Sequence, residues 1–217
     1  MFVGHFAVAF AAKRAAPQVS LGTLFFAAQL ADLAWPTFVL LGLERVEIRH
    51  GITAVNPLDF QHYPYSHSLV ALIAWGAALG IAWLLVRRGS LRTAALLAAV
   101  VLTHWVLDAV SHRPDMPIGL HGDARVGLGL WHSVGATAVV ELTGLAAGVL
   151  MYFRATREAD ATGRWALLAM LGFLVIVYAT SLLGPPPPSA AAVAWSAQGI
   201  WLLVLWAYWI DRHRRAR

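Results

Sequence analysis

Apolar residues run through this chain in blocks too long for a soluble fold, each closed by arginines, prolines or a short polar loop. A helix that crosses a bilayer needs about 20 mostly apolar residues. Six stretches qualify: Ser20 to Leu43, Ser68 to Val86, Ala94 to His112, Leu128 to Phe153, Trp165 to Leu183 and Ala191 to Ile210. Pro36 interrupts the first, and the helix is expected to kink or end there, because proline removes a backbone N–H and disfavours helix in the preceding residue. The opening segment, Phe2 to Ala12, is too short to cross. It is expected to form a half-depth or interfacial helix that turns back near Pro17 and lies against the first span. The pattern predicts an all-α polytopic transmembrane bundle, a single domain over residues 1–217, with no internal repeat. Pro185 to Pro188 fits a stiff polyproline connector.

Composition narrows the class. Of the residues 59% are hydrophobic and 12% charged, with mean hydropathy +0.66, whereas a soluble domain carries about twice that charge. There are no cysteines, which removes disulfides, thiolate metal sites and cysteine nucleophiles and leaves His, Asp and Glu as the strong ligands. A net charge of +5 raises the question of nucleic acid, but the basic residues cap apolar segments and do not cluster with exposed aromatics, so a bilayer is the expected partner. Lys13, Arg14, Arg87, Arg88, Arg92, Arg154, Arg157, Arg164, Arg212, Arg214, Arg215 and Arg217 all fall on one side of the predicted spans. Cytoplasmic loops hold the excess of positive charge. The loops Glu44 to Ser66 and Arg113 to Gly127, with the proline tract, are therefore expected to face out of the cytoplasm. The N-terminus has no basic region before its apolar run and does not resemble a cleaved signal peptide. Ten tryptophans include Trp35, Trp75, Trp131, Trp195 and Trp209 near span boundaries, where an interfacial belt is expected.

The polar exceptions inside the spans carry the chemistry. His104, Asp108 and His112 stand four apart on the third span, and a helix turning about 100° per residue puts all three on one face. Asp32 lies in the outward half of the first span; His62 and His67 precede the second; His132 opens the fourth, with Glu141 deeper. A carboxylate left alone in hydrocarbon costs several kcal/mol, and no Lys or Arg lies within the spans to pair with Asp32 or Asp108. A divalent cation would satisfy carboxylates and imidazoles together. Histidine and carboxylate ligands without sulfur suit zinc, manganese or iron. His5 is open to two readings, ligand or satisfied core histidine. His112 is equally a ligand or a loop hydrogen-bonder. Glu141 and His132 more simply meet a local hydroxyl and lipid headgroups, and His50, His121 and His213 are expected in solvent.

The order Gly4-His5, Ala31-Asp32, His62-Tyr-Pro-Tyr-Ser-His67-Ser68-Leu69 and Thr103-His104-Trp-Val-Leu-Asp108 resembles, over the first half of the chain, a bacterial family of membrane-bound metal-dependent hydrolases. That family is distantly similar to the zinc-dependent phospholipases C. The resemblance implies metal positions at His5, Asp32, His67, His104 and Asp108, with His62 beside them. Where the family commonly has His-Arg-Gly-x-Thr-His-Ser, this chain has Tyr63, Pro64 and Ser66, and the second acid of the family's Pro-Asp-x-Asp is absent after Asp32.

The expected function is a metal-dependent hydrolase of the bacterial cytoplasmic membrane, zinc being the first choice of ion, acting by metal-activated water on a phosphoester or lipid-linked substrate at the outer side. Asp32 is the candidate general base, His62 or His112 the leaving-group acid, and Arg113 a candidate phosphate clamp. Two rivals use the same cluster. A metal or proton transporter would need polar groups continuing into the inner half, and a haem carrier would need facing histidines without carboxylates beside them.

Overall fold

The long apolar blocks begin on residues that close a helix N-terminus. The side chains of Ser20, Ser68, Ser90, Ser133, Asp160 and Ser189 each accept the backbone N–H three residues on, satisfying donors that have no partner within the helix. The computed structural model describes residues 1–217. Along the chain run α1 (Val3–Ala15), α2 (Leu21–Ala28), α3 (Leu30–Leu40), strands β1 (Arg45–Ile48) and β2 (Leu58–His62), the single turn α4 (Pro64–His67), α5 (Leu69–Arg87) and α6 (Leu91–Ser111). There follow β3 (Met116–Pro117), β4 (Arg125–Val126), a 3-10 turn at Leu130–His132, α7 (Val134–Ala155), β5 (Thr156–Glu158), α8 (Ala161–Leu183), α9 (Ala190–Ala197), α10 (Ile200–Arg212) and β6 (Arg214–Ala216). The fold is the expected all-α bundle. Its strands form three two-stranded antiparallel ribbons, β1 with β2, β3 with β4 and β5 with β6.

Five helices are long and apolar enough to cross a membrane: α5, α6, α7, α8, and α9 with α10 taken together. The pair α2 and α3, bent by 55°, is as apolar and makes a sixth when the two are counted as one broken span. The bend falls at Gln29, not at Pro36 as expected. Pro36 sits inside α3, where it withholds only the one N–H that the Asp32 carbonyl would have accepted. The fourth span also starts later than expected, because Ser133 caps α7 and leaves His132 in the 3-10 turn, exposed.

The opening helix is short, as expected, but it is not interfacial. Val3, Phe6, Ala9 and Phe10 have no exposed surface, and α1 threads between α2, α6 and α7. At 13 residues it is about 20 Å long, half a bilayer. Its approach to α7 is close enough that a Cβ at Gly148 would run into the carbonyl oxygen of Ala7. Glycine is the residue that permits this contact.

The two ends of the bundle are finished differently. At the arginine-rich end β5 pairs with β6. There Lys13 Nζ donates to the Val19 carbonyl (2.7 Å) and to Asp211 Oδ1 (2.8 Å), tying α1 to α10. Buried Arg214 lies over the rings of Tyr152 and Phe153 and bonds Thr156 Oγ1 and the Gly163 carbonyl. At the opposite end Trp35, Val46, Phe60, Tyr63, Met116 and Trp131 form a second, smaller core. Trp35 and Trp131 thus face inward, whereas Trp75, Trp195 and Trp209 are exposed as a belt requires. Between the ends lies the main core, in which Phe6, Phe10, Phe25, Leu97 and Val101 are wholly buried.

Candidate metal centre

Where α3, α4 and α6 meet α1, four polar atoms form a closed ring. Asp32 Oδ1 lies 3.4 Å from His67 Nε2, which lies 3.8 Å from Asp108 Oδ2; that oxygen is 3.2 Å from His104 Nε2, which returns to Asp32 Oδ1 at 3.8 Å. Nitrogen and oxygen alternate around it. Ligands at about 2.0–2.1 Å from a tetrahedral ion sit roughly 3.3 Å apart, so these spacings match donors around a shared centre better than four direct hydrogen bonds. His5 joins through the other carboxylate oxygen, with Nε2 3.1 Å from Asp108 Oδ1, and its ring stacks on His104 at 3.7 Å. Two overlapping sets, His5 with His104 and Asp108, and Asp32 with His67 and His104, each bring their donor atoms within 4.8 Å of one another. The backbone nitrogen of Met1 also lies on Asp108 Oδ1.

Local structure explains the convergence. One turn of α6 places His104 and Asp108 on the same face, while His112 leaves that face because the helix ends at Ser111 and His112 is extended (φ −67, ψ 152). The bend at Gln29 ends α2 and leaves the Ala28 carbonyl without its helical donor. His104 Nδ1 lies 2.8 Å from that oxygen. A carbonyl only accepts, so the proton sits on Nδ1 and Nε2 turns a lone pair to the ring. His104 Nε2 and His5 Nδ1 are both buried without a hydrogen-bond partner, a costly state that a bound cation would relieve at His104. Asp32 is the open edge: its side chain is 26% exposed, against 5% or less for the other four.

The remaining candidates stand elsewhere. His62 is exposed at the end of β2, beside Arg125 in an outer cavity of about 280 Å³, and does not reach the ring. His112 is buried in the outer core, its Nδ1 2.9 Å from Asp115 Oδ1 and its ring 4.2 Å from that of Trp131. Burial holds it below the ordinary histidine value, with Asp115 pulling the other way. Tyr63 stands between it and His67, and its hydroxyl donates to Asp115 at 3.2 Å. Burial and the Asp115 charge push that hydroxyl well above the usual tyrosine range, so it stays a donor. Arg113 is not a free clamp, since its guanidinium is held by Asp59 and Asp115. His50 and His121 are exposed as expected; His213 instead pairs with Asp160 at 2.7 Å.

Two acids outside the ring act on its members. Glu141, buried on α7, accepts the N–H groups of Phe2 (2.8 Å) and Gly4 (3.1 Å). It supplies from another helix the cap that α1 lacks in its own sequence, and so fixes the height of His5. Glu44, which the sequence places only at a loop boundary, accepts the N–H of Tyr65 (2.8 Å), the N–H of Ser66 (2.9 Å) and the Ser66 hydroxyl (2.6 Å). A signal for Glu141 was present, an acid in an apolar span, but it pointed to the wrong partner. No protein-family model, no curated protein and no solved structure matches the chain.

Proposed function

We propose that the chain is a membrane-embedded, metal-dependent hydrolase of phosphoester or lipid-linked substrates, in the bacterial cytoplasmic membrane with its site toward the outer side. The observation that carries this is the alternating ring of Asp32, His67, Asp108 and His104 at membrane depth. His67, His104 and Asp108 would hold the ion and leave a position open beside Asp32, with zinc the first choice on the donor set and manganese or iron the alternatives. Such an ion, when bound, brings the acidity of a water from 15.7 to about 7 and polarises a substrate oxygen.

The protein's own groups divide the remaining work. His5 on the second oxygen of Asp108 holds that carboxylate in one orientation. Asp32, partly exposed at the open edge, is positioned to take a proton from an incoming water and to return it to the leaving group. His112 and His62, away from the ring, drop out of that role. The aromatic core of Trp35, Phe60 and Tyr63 adjoins the site through Tyr63, whose ring packs on His67. A lipid-borne substrate fits a site at this depth.

Transport is the weaker reading. Broken helices beside a polar site are a transporter feature, and α2 and α3 provide one. Yet beneath the ring, toward the arginine-rich end, Phe6, Phe10, Phe25, Leu97 and Val101 pack without exposed surface, leaving no polar route inward.

The test is metal content and hydrolysis in one preparation. Purified wild-type protein is expected to retain a transition metal, while His104→Ala and Asp108→Asn lose it, with affinity falling at least about 100-fold. Bis(p-nitrophenyl) phosphate is expected to be cleaved by wild type and at least about 100-fold more slowly by Asp32→Asn. Protein that takes up no metal would overturn the proposal.

A further inference from the structure

We infer that Glu44 and Ser66 form a proton-ordering relay that sets the tautomer of His67, making Glu44 a positioning residue for the candidate centre. The inference rests on the proposed metal site but is argued from hydrogen bonds alone. Glu44 Oε1 is filled by two backbone N–H groups, from Tyr65 at 2.8 Å and Ser66 at 2.9 Å, which fixes the carboxylate in place at the start of α4. Its Oε2 accepts the Ser66 hydroxyl at 2.6 Å, a short, charge-assisted bond. A serine hydroxyl has a single proton. With that proton committed to Glu44, Ser66 Oγ faces His67 Nδ1, 2.7 Å away, only as an acceptor. Nδ1 must therefore carry the hydrogen, and in the neutral ring Nε2, which faces Asp32 and Asp108, is the nitrogen free to ligate.

All three residues are buried, Glu44 at 3%, Ser66 at 0% and His67 at 4% exposure, so water cannot reset the order. His104 reaches the same tautomer by a different route, through the Ala28 carbonyl. The two histidines of the ring thus present matched lone pairs, one ordered by a helix break and the other by a loop acid across 22 residues of sequence. Nothing in the ring itself requires Glu44, which touches none of its four donor atoms. Its effect passes entirely through the serine.

The relay has a polarity that one substitution reverses. In Glu44→Gln the amide oxygen still suits the two backbone N–H groups, so the NH2 faces Ser66 Oγ and donates. The serine proton then turns to His67 Nδ1, and the hydrogen moves to Nε2, where it blocks ligation. The experiment is nitrogen-15 NMR of full-length, histidine-labelled protein in detergent micelles, before and after chelation with EDTA, with His67→Gln to assign the signal. Chelated wild type, at a pH high enough to keep the imidazole neutral, is expected to show His67 protonated on Nδ1, and Glu44→Gln to show it on Nε2. Cobalt affinity, followed by visible absorption, is expected to drop about 10- to 100-fold in Glu44→Gln and Ser66→Ala and to recover in Ser66→Thr, which restores a hydroxyl. Should Glu44→Gln fail to fold, Ser66→Ala against Ser66→Thr carries the comparison. A wild-type His67 protonated on Nε2, or an unchanged tautomer in Glu44→Gln, overturns the relay. Absence of cobalt binding by wild type overturns the metal site instead and leaves the tautomer result standing.

Discussion

Single residues divide here into those whose cost is visible in the sequence and those whose cost is not. Asp32, His104 and Asp108 stand out because an ionisable side chain in an apolar span needs a partner, and all three belong to the ring. Glu44 and Asp115 lie in loop sequence, where an acid carries no penalty, and only folding buries them. His112 was misleading because helical spacing holds only as far as Ser111. Tyr63 shows what the outer core depends on. Tyr63→Phe removes the donor to Asp115 while keeping the ring that packs on Phe60 and His67. The expected loss is about 1 kcal/mol in thermal denaturation, with metal content unchanged, since Tyr63 is no ligand.

Elements were legible where periodicity or length speaks and opaque where a bend does. The five long apolar helices, the bent pair and the short opening helix follow from apolar run lengths, and serine caps, with Asp160 on α8, set the starts of most of them. No glycine or proline marks the bend at Gln29, so sequence placed it at Pro36 instead. The opening helix depends on a cap from elsewhere. Glu141→Ala is expected to strand the N–H groups of Phe2 and Gly4 at a cost of about 1–3 kcal/mol and to weaken cobalt binding about 10-fold by loosening His5, measured by optical titration. At the other end of the bundle Asp160 caps α8 and pairs with His213. The His213 bond first, and then the Gly163 N–H, hold its carboxyl below the usual aspartate value. A depressed folded value means the contribution is present above about pH 4 and fades as pH falls through the folded value. The protection of the Gly163 amide, its exchange rate relative to the intrinsic rate at the same pH, is expected to fall under acid in wild type and to be already low at neutral pH in Asp160→Ala.

At the scale of the molecule, one half is dry and the other polar. Gly148 lets α1 lie against α7 closely enough to fill the dry half, and Gly148→Leu is expected to expel α1, abolishing metal retention together with monodispersity in size-exclusion chromatography. Orientation follows the basic residues: reporter fusions in the loop of residues 113–127 are expected to report the extracytoplasmic side, while fusions after Arg217 report the cytoplasm. The packed plug of Phe6, Phe10, Phe25, Leu97 and Val101 also has an electrical consequence. A membrane potential falls across the low-dielectric part of its path, about 2.3 kcal/mol per charge for each 100 mV. On the proposed orientation that path is the phenylalanine plug, and the ring, opened at Asp32, would sit near the potential of the water outside. The proposed hydrolysis is therefore expected to be indifferent to voltage, proceeding at the same rate in energised vesicles and in vesicles whose gradient has been collapsed.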